Sequence, residues 1–150
     1  MLEAGGRAAI KSMCSILIVE DHDDTRRAFA GLLRSWGHEV STGDSAARGL
    51  AFLDTNDVDV ILSDIGLPDQ DGYAFIAKVR QTNLAVTAIA ISAYFTANDQ
   101  RRGRAAGFDM YFPKPVDLLN LRLVLARMNS NPCRNGNGVN EDSPLHQAGR

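Results

Sequence analysis

The chain has 150 residues, of which 45% are hydrophobic and 23% are charged, enough for one globular domain with a hydrophobic core. Acidic residues outnumber basic ones by 18 to 16, so the overall charge offers no attraction to nucleic acid or to an anionic membrane surface. No apolar stretch approaches the ~20 residues of a membrane-spanning helix, and the first residues lack the apolar core of a signal peptide. We therefore expect a cytoplasmic protein.

Five strand-like segments alternate with five helix-like segments along the chain. The predicted strands cover residues 16–19, 38–42, 58–63, 86–91 and 108–112. The predicted helices cover residues 24–36, 45–53, 72–80, 97–106 and 116–128. Asp44 and Asp71 are suitable N-terminal caps for the second and third helices. Alternation of this kind predicts an α/β fold, a doubly wound five-stranded parallel sheet with right-handed crossovers. The second strand is half polar, which favours a sheet edge.

The two ends of the chain differ in composition from this central part. Residues 1–13 contain a Gly-Gly pair and no strong periodic pattern, and we interpret them as a flexible leader or linker. Residues 129–150 are rich in Asn, Gly, Pro and Ser with few apolar residues, a composition typical of disorder. The predicted domain therefore covers residues 14–128.

Polar side chains stand where four of the five strands end. Glu20 and Asp21 follow the first strand, Asp64 follows the third, Ser92 follows the fourth, and Lys114 follows the fifth. The carboxyl ends of parallel strands meet at one edge of the sheet, which is where such sheets bind ligands. We therefore expect these side chains to lie close together.

The chemistry of this set points to a divalent cation and a phosphoryl group. Carboxylates crowded into one crevice repel each other unless a cation relieves them, and Mg²⁺ prefers such oxygen ligands. Lys114 would contact a phosphoryl oxygen, Ser92 could donate to another, and Asp64 could attack phosphorus as a nucleophile. Taken singly, each residue is as well or better explained as a turn, cap or solvated side chain. The same holds for His22, which we interpret as a solvated histidine.

The last predicted helix has two apolar arcs, although a surface helix needs only one. The first arc contains Val116, Leu119, Leu123 and Ala126. The second arc contains Leu118, Leu121, Val124, Leu125 and Met128. A wide core contact is one explanation. The other is a partner surface, for which Leu121→Glu or Leu125→Glu should weaken association without unfolding the protein.

Five segments together resemble a known family over residues 15–128. They are ILIVED (16–21), VILSD (60–64), LPDQDG (67–72), ISA (91–93) and YFPKP (111–115). The chain resembles a response-regulator receiver domain of the CheY-like superfamily, or the receiver segment of a hybrid sensor histidine kinase. The resemblance implies the flavodoxin-like strand order 2-1-3-4-5.

The resemblance also implies a role for each matching residue. Asp64 is the phosphoacceptor, and Mg²⁺ is bound by Asp21, Asp64, the backbone carbonyl of Gly66, and Glu20 through water. Lys114 and Ser92 contact the phosphoryl group. Tyr111 is the aromatic residue that changes rotamer when Ser92 moves.

The expected function is that of a phosphoacceptor in two-component signalling. The phosphodonor is a phosphohistidine of a sensor histidine kinase or of a histidine phosphotransfer protein. The surface formed by the fourth helix, fifth strand and fifth helix is a possible homodimer interface. Two alternatives stay open: a metal-dependent aspartyl-phosphate phosphatase or phosphotransferase of another α/β family, and a pseudo-receiver that only docks. A nucleotide-binding protein is disfavoured because no glycine-rich phosphate loop follows the first strand.

Overall fold

The computed structural model describes residues 13–129. Its strands are β1 (Ser15–Val19), β2 (Glu39–Gly43), β3 (Val60–Asp64), β4 (Thr87–Ser92) and β5 (Met110–Pro113). Its helices are α1 (Asp23–Ser35), α2 (Ala46–Thr55), α3 (Gly72–Thr82), α4 (Ala97–Ala106) and α5 (Leu118–Asn129). The predicted leader and tail, residues 1–13 and 129–150, lie outside the described residues except for their innermost positions.

The strands form one five-stranded sheet in the order β2-β1-β3-β4-β5, and all four neighbouring pairs are parallel. This confirms the predicted α/β class, the strand order and the position of the second strand at an edge. The predicted bounds of α4 agree with the structure, and those of the other elements differ by at most two residues. In the described part of the chain, no helix is both long and apolar enough to cross a bilayer.

The core has two layers because the sheet is covered on both faces. Successive side chains of a strand point to opposite faces, so Leu17 and Val19 of β1 pack with α2 and α3. Ile16 and Ile18 pack on the other face, with α1 and α5. Burial on both sides explains why β1, β3 and β4 are nearly continuous apolar runs.

The N-terminus of α2 differs from the prediction. Ser45, not Asp44, is the N-cap, and its side chain accepts a hydrogen bond from the Arg48 N–H. Asp44 lies one residue too early to fill that position. Asp69, from the loop after β3, accepts further hydrogen bonds from the N–H groups of Ala46 and Ala47 at 3.0 and 2.8 Å. Burial acts to raise the pKa of Asp69, but these hydrogen bonds outweigh it and leave that pKa below its usual value.

Helix α5 corrects the predicted partner surface. Leu121 and Leu125 are completely buried and belong to the core between α1 and the sheet, so their assignment to a partner surface is wrong. Leu119 and Leu123 are 70% and 52% exposed. The apolar arc that faces solvent is therefore the other one, because the sheet and α1 cover the arc centred on Leu121 and Leu125.

Two leucines of α5 provide a matched test of this assignment. We expect Leu121→Ala to lower the free energy of unfolding by roughly 2–5 kcal/mol, because it leaves a cavity in the core. Leu123→Ala, an identical change on the same helix, should alter it by less than about 0.5 kcal/mol. Urea unfolding of the two variants measures both values. Equal losses of stability would contradict the assignment.

His38 predicts a pH dependence of stability. It is buried, and its Nδ1 accepts a hydrogen bond from the Cys14 N–H at 3.1 Å. Burial lowers the pKa of His38 below its ordinary value of 6.5, because the imidazolium form is poorly solvated there. The unfolded chain therefore binds this proton more readily than the folded protein.

The contribution of His38 to the free energy of unfolding should be complete above the ordinary pKa of 6.5 and should be lost as the pH falls through the lowered pKa. His38→Asn keeps a hydrogen-bond acceptor but does not titrate in this range. Urea unfolding between neutral and mildly acidic pH should show a shallower loss of stability in this variant. Parallel pH profiles of the two proteins would rule out His38 as the source.

Candidate functional site

The strand ends bring the predicted polar residues to one edge of the sheet. Glu20 and Asp21 follow β1, while Asp64 and Ser92 are the last residues of β3 and β4. Lys114 directly follows β5. Glu20, Asp64 and Ser92 are buried, with 4%, 9% and 1% of their surface exposed. Burying two carboxylates is costly unless charged or hydrogen-bonding partners accompany them.

Lys114 supplies that partner. Its Nζ lies 3.2 Å from Asp64 Oδ2 and 3.6 Å from Glu20 Oε1, so one ammonium group bridges two carboxylates from different strands. The other oxygen of Asp64, Oδ1, accepts a hydrogen bond from the Gly66 N–H at 3.2 Å. Asp64 is thus oriented through both of its carboxylate oxygens.

Glu20 also belongs to a cluster of potential metal ligands with Asp21 and His22. Glu20, Asp21 and His22 each place one potential ligand atom within 4.8 Å of the others. His22 is 73% exposed, as expected for a solvated side chain, but its Nδ1 lies 3.2 Å from Glu20 Oε2. Asp21 Oδ1 is buried without a hydrogen-bond partner in the described chain, although His22 Nδ1 lies 3.6 Å away. Oxygen donors and a buried carboxylate oxygen of this kind fit a hard divalent cation such as Mg²⁺.

A cavity of about 390 Å³ brings together four of the predicted residues, but Glu20 and Asp21 are not among the residues that line it. Asp64, Gly66, Ser92 and Lys114 all line it. Its outer wall contains Tyr94, which is 72% exposed. The cavity therefore gives solvent and ligands access to the carboxylate of Asp64.

Ser92 and Tyr111 are placed differently from each other. Ser92 lines the cavity, and its Oγ accepts a hydrogen bond from the Tyr94 N–H at 3.0 Å. Tyr111 does not line the cavity; its hydroxyl lies 3.0 Å from that of Tyr73, which does. Burial and then the bond with Tyr111 raise the pKa of Tyr73 well above its usual range, so this hydroxyl stays protonated at neutral pH.

The start of α3 lies so close to the end of β3 that only glycine fits at position 72. A Cβ atom at this position would lie 2.6 Å from the backbone oxygen of Asp64 and 2.8 Å from the Cα of Ile65. Such contacts would force the end of β3 to move. The Gly72 N–H donates to the Ile65 carbonyl at 2.7 Å, which holds the loop close to the site.

Sequence reasoning missed three residues near the cavity: Tyr73, Arg102 and Gly103. Arg102 lines the cavity, although α4 offered no motif that would single it out. Gly103 could have been noticed, because a glycine in a helix interior costs stability and needs a packing reason.

Comparison with known proteins identifies the family. A sequence profile described as "Response regulator receiver domain" matches residues 16–126. This chain belongs to the response regulator receiver domain family. Receivers act in two-component signalling, and phosphorylation and Mg²⁺ are typical of them. This match favours the receiver family over the alternative of an unrelated α/β phosphatase.

Three relatives illustrate the range of proteins that contain such a domain. The sensor histidine kinase RcsC of Salmonella typhi is 34% identical over 111 residues, which are 74% of this chain but 12% of that kinase. The KDP operon transcriptional regulatory protein KdpE of Escherichia coli is 37% identical over 119 residues, covering 77% of this chain and 52% of that protein. The structure of the chemotaxis response regulator CheY4 of Vibrio cholerae has a TM-score of 0.73 at 25% identity, covering 77% of this chain and 98% of that one. This receiver thus spans only a small part of the kinases that it matches.

Proposed function

We propose that this receiver accepts a phosphoryl group on Asp64 from a phosphohistidine, with Mg²⁺ bound beside it, and that phosphorylation switches a protein-interaction surface. The observation that carries the proposal is the 3.2 Å contact between Lys114 Nζ and Asp64 Oδ2 at the base of an open cavity. This contact supports the proposal because the proposed nucleophile and a cation suited to phosphoryl oxygens lie side by side.

Asp64 is the nucleophile in the proposed reaction. One of its carboxylate oxygens forms a bond to phosphorus while the bond from phosphorus to the donor imidazole nitrogen breaks, and the imidazole leaves with the bonding electron pair. The Gly66 N–H and Lys114 limit rotation of the carboxylate before the reaction. Little more than alignment and charge neutralisation is needed for phosphoryl transfer.

Lys114 and the acidic group have separate tasks. As the phosphoryl group arrives, the Lys114 ammonium is positioned to neutralise charge on its oxygens. Glu20, Asp21, Asp64 and the backbone carbonyl of Gly66 are the proposed residues that hold Mg²⁺. When bound, Mg²⁺ neutralises the negative charge that the carboxylates and the phosphoryl oxygens bring together.

Ser92 and Tyr111 are the proposed switch residues. Ser92 Oγ lies in the wall of the cavity and can donate a hydrogen bond to a phosphoryl oxygen. Tyr111 is half-buried two positions before the β5 end, and the family resemblance implies that it changes rotamer when Ser92 moves. The contacts of α4 and β5 would then differ between the two forms.

The groove between α1 and α5 is the proposed docking place of the phosphodonor. It has a volume of about 410 Å³. Its lining consists of polar Asp24 and Thr25 together with five apolar residues: Ala28, Phe29 and Leu32 of α1, Val116, and Leu118 at the start of α5. Val116 stands two residues after Lys114, so the groove adjoins the site. An amphipathic helix of the donor would fit the apolar part of this groove.

Further properties of the protein are predicted from the sequence. Homodimer formation through α4, β5 and α5, a cytoplasmic location and the lack of a nucleic-acid partner rest on the sequence arguments. The leucines that such a dimer would use are Leu119 and Leu123, because these are exposed. The similarity to RcsC supports a receiver segment of a hybrid kinase, and the similarity to CheY4 supports a stand-alone protein.

A direct test is phosphorylation by a small donor. We expect phosphoramidate with Mg²⁺ to add one phosphoryl group to the wild-type protein, detected by intact-protein mass spectrometry. Asp64→Asn should remain unmodified, and Lys114→Met should react roughly hundredfold more slowly because it loses the cation at the reacting group. Asp57→Asn, a change of an exposed aspartate, serves as the control and should react normally. Modification of Asp64→Asn would refute the proposal.

A further inference from the structure

The ring of Tyr111 packs against α4 at Gly103, where a side chain is absent. A Cβ atom on Gly103 would lie 2.8 Å from Cε2 and 2.9 Å from Cδ2 of the Tyr111 ring. Any larger residue at position 103 would therefore displace the ring. A glycine in a helix interior costs about 1 kcal/mol relative to alanine. Gly103 therefore lowers the stability of α4 but leaves room for the Tyr111 ring.

Tyr73 holds the outer end of the same ring. The hydroxyl oxygens of Tyr73 and Tyr111 are 3.0 Å apart, which is a hydrogen bond between α3 and β5. Tyr73 directly follows Gly72, where a Cβ atom would lie only 2.6 Å from the backbone oxygen of Asp64. The position of Tyr111 is therefore connected, through two covalently adjacent residues, to the strand end that carries the phosphoacceptor.

Arg102 covers Tyr73 from the side of α4. Its guanidinium carbon lies 4.3 Å from the centre of the Tyr73 ring, within the range of a cation–π contact. Its Nη2 also lies 3.6 Å from Asp71 Oδ2, at the start of α3. Arg102 precedes Gly103, so adjacent residues of α4 contact both tyrosines.

We infer that Tyr73 is a positioning residue that, together with Arg102, holds Tyr111 in its present place and thereby stabilises the unphosphorylated receiver. We call Tyr73, Arg102 and Tyr111 the tyrosine latch. The inference rests on the proposed function, in which Tyr111 moves on phosphorylation. In this structure the contacts of the latch occur together with a free Asp64 carboxylate, whose oxygens contact Lys114 and Gly66. Contacts that are lost on switching reduce the affinity for a phosphoryl group.

Tyr73→Phe tests the latch because it removes one hydroxyl and leaves the ring. The probe is beryllofluoride, a phosphoryl mimic, titrated with Mg²⁺ present. We expect the variant to bind beryllofluoride about two- to tenfold more tightly than the wild-type protein, the effect of one net hydrogen bond. In a Tyr111→Phe background, where the partner hydroxyl is already absent, Tyr73→Phe should cause no further change.

Two arginines of α4 provide a matched comparison. Arg102→Gln should also tighten beryllofluoride binding, because it releases Tyr73. Arg101→Gln should not, because the Arg101 guanidinium contacts only Asn98 of its own helix, at 3.4 Å, among the hydrogen bonds of the described chain. Urea unfolding of each variant establishes that it is folded under the conditions of the titration.

The outcomes separate the latch from the phosphoacceptor function. Absence of beryllofluoride binding to the wild-type protein would refute the proposed function itself. Normal wild-type binding with an unchanged or weaker affinity in Tyr73→Phe would overturn the latch alone. An equal effect of Tyr73→Phe in the Tyr111→Phe background would also overturn it, because Tyr73 would then act independently of Tyr111.

Discussion

The bridge made by Lys114 between Asp64 and Glu20 is the contact on which the site depends. The two carboxylates come from different strands, and both are buried. Without a nearby cation, their repulsion and desolvation would push the ends of β1 and β3 apart. Because Lys114 follows β5 at the far edge of the sheet, its side chain also connects three strand ends across the crevice. The Lys114 side chain thus offsets the cost of burying two carboxylates and supplies a cation for the proposed reaction.

The surrounding loops keep that bridge in place. Gly72 allows the start of α3 to approach the Asp64 backbone, and Asp69 ties the same loop to the N-terminus of α2. Arg26 donates to the backbone carbonyl of Glu20 at 3.0 Å. Beyond the site, the tyrosine latch links this loop to α4. We expect a change of charge at Asp64 to reach α4 through these contacts.

The sequence was sufficient for the fold and for the grouping of the polar residues. The alternation of strand and helix patterns predicts the fold. The polar residues at the ends of the apolar runs are predicted to lie together, since parallel strands place their carboxyl ends at one edge. It was insufficient for α5, where two apolar arcs compete and only the folded structure shows that Leu121 is buried and Leu123 exposed. Tyr73 and Arg102 were missed for a related reason. Their contacts join residues distant in the chain, and neither residue carries a local signal of that partnership.

We infer that the carboxylates at this sheet edge form a site for a divalent cation. Mg²⁺ added at constant ionic strength should raise the urea midpoint of the wild-type protein, because it binds the folded state only. Asp21→Asn removes the carboxylate whose buried oxygen has no hydrogen-bond partner in the described chain, and it should lose this response. No Mg²⁺-dependent stabilisation of the wild-type protein, or the same stabilisation in Asp21→Asn, would contradict the claim.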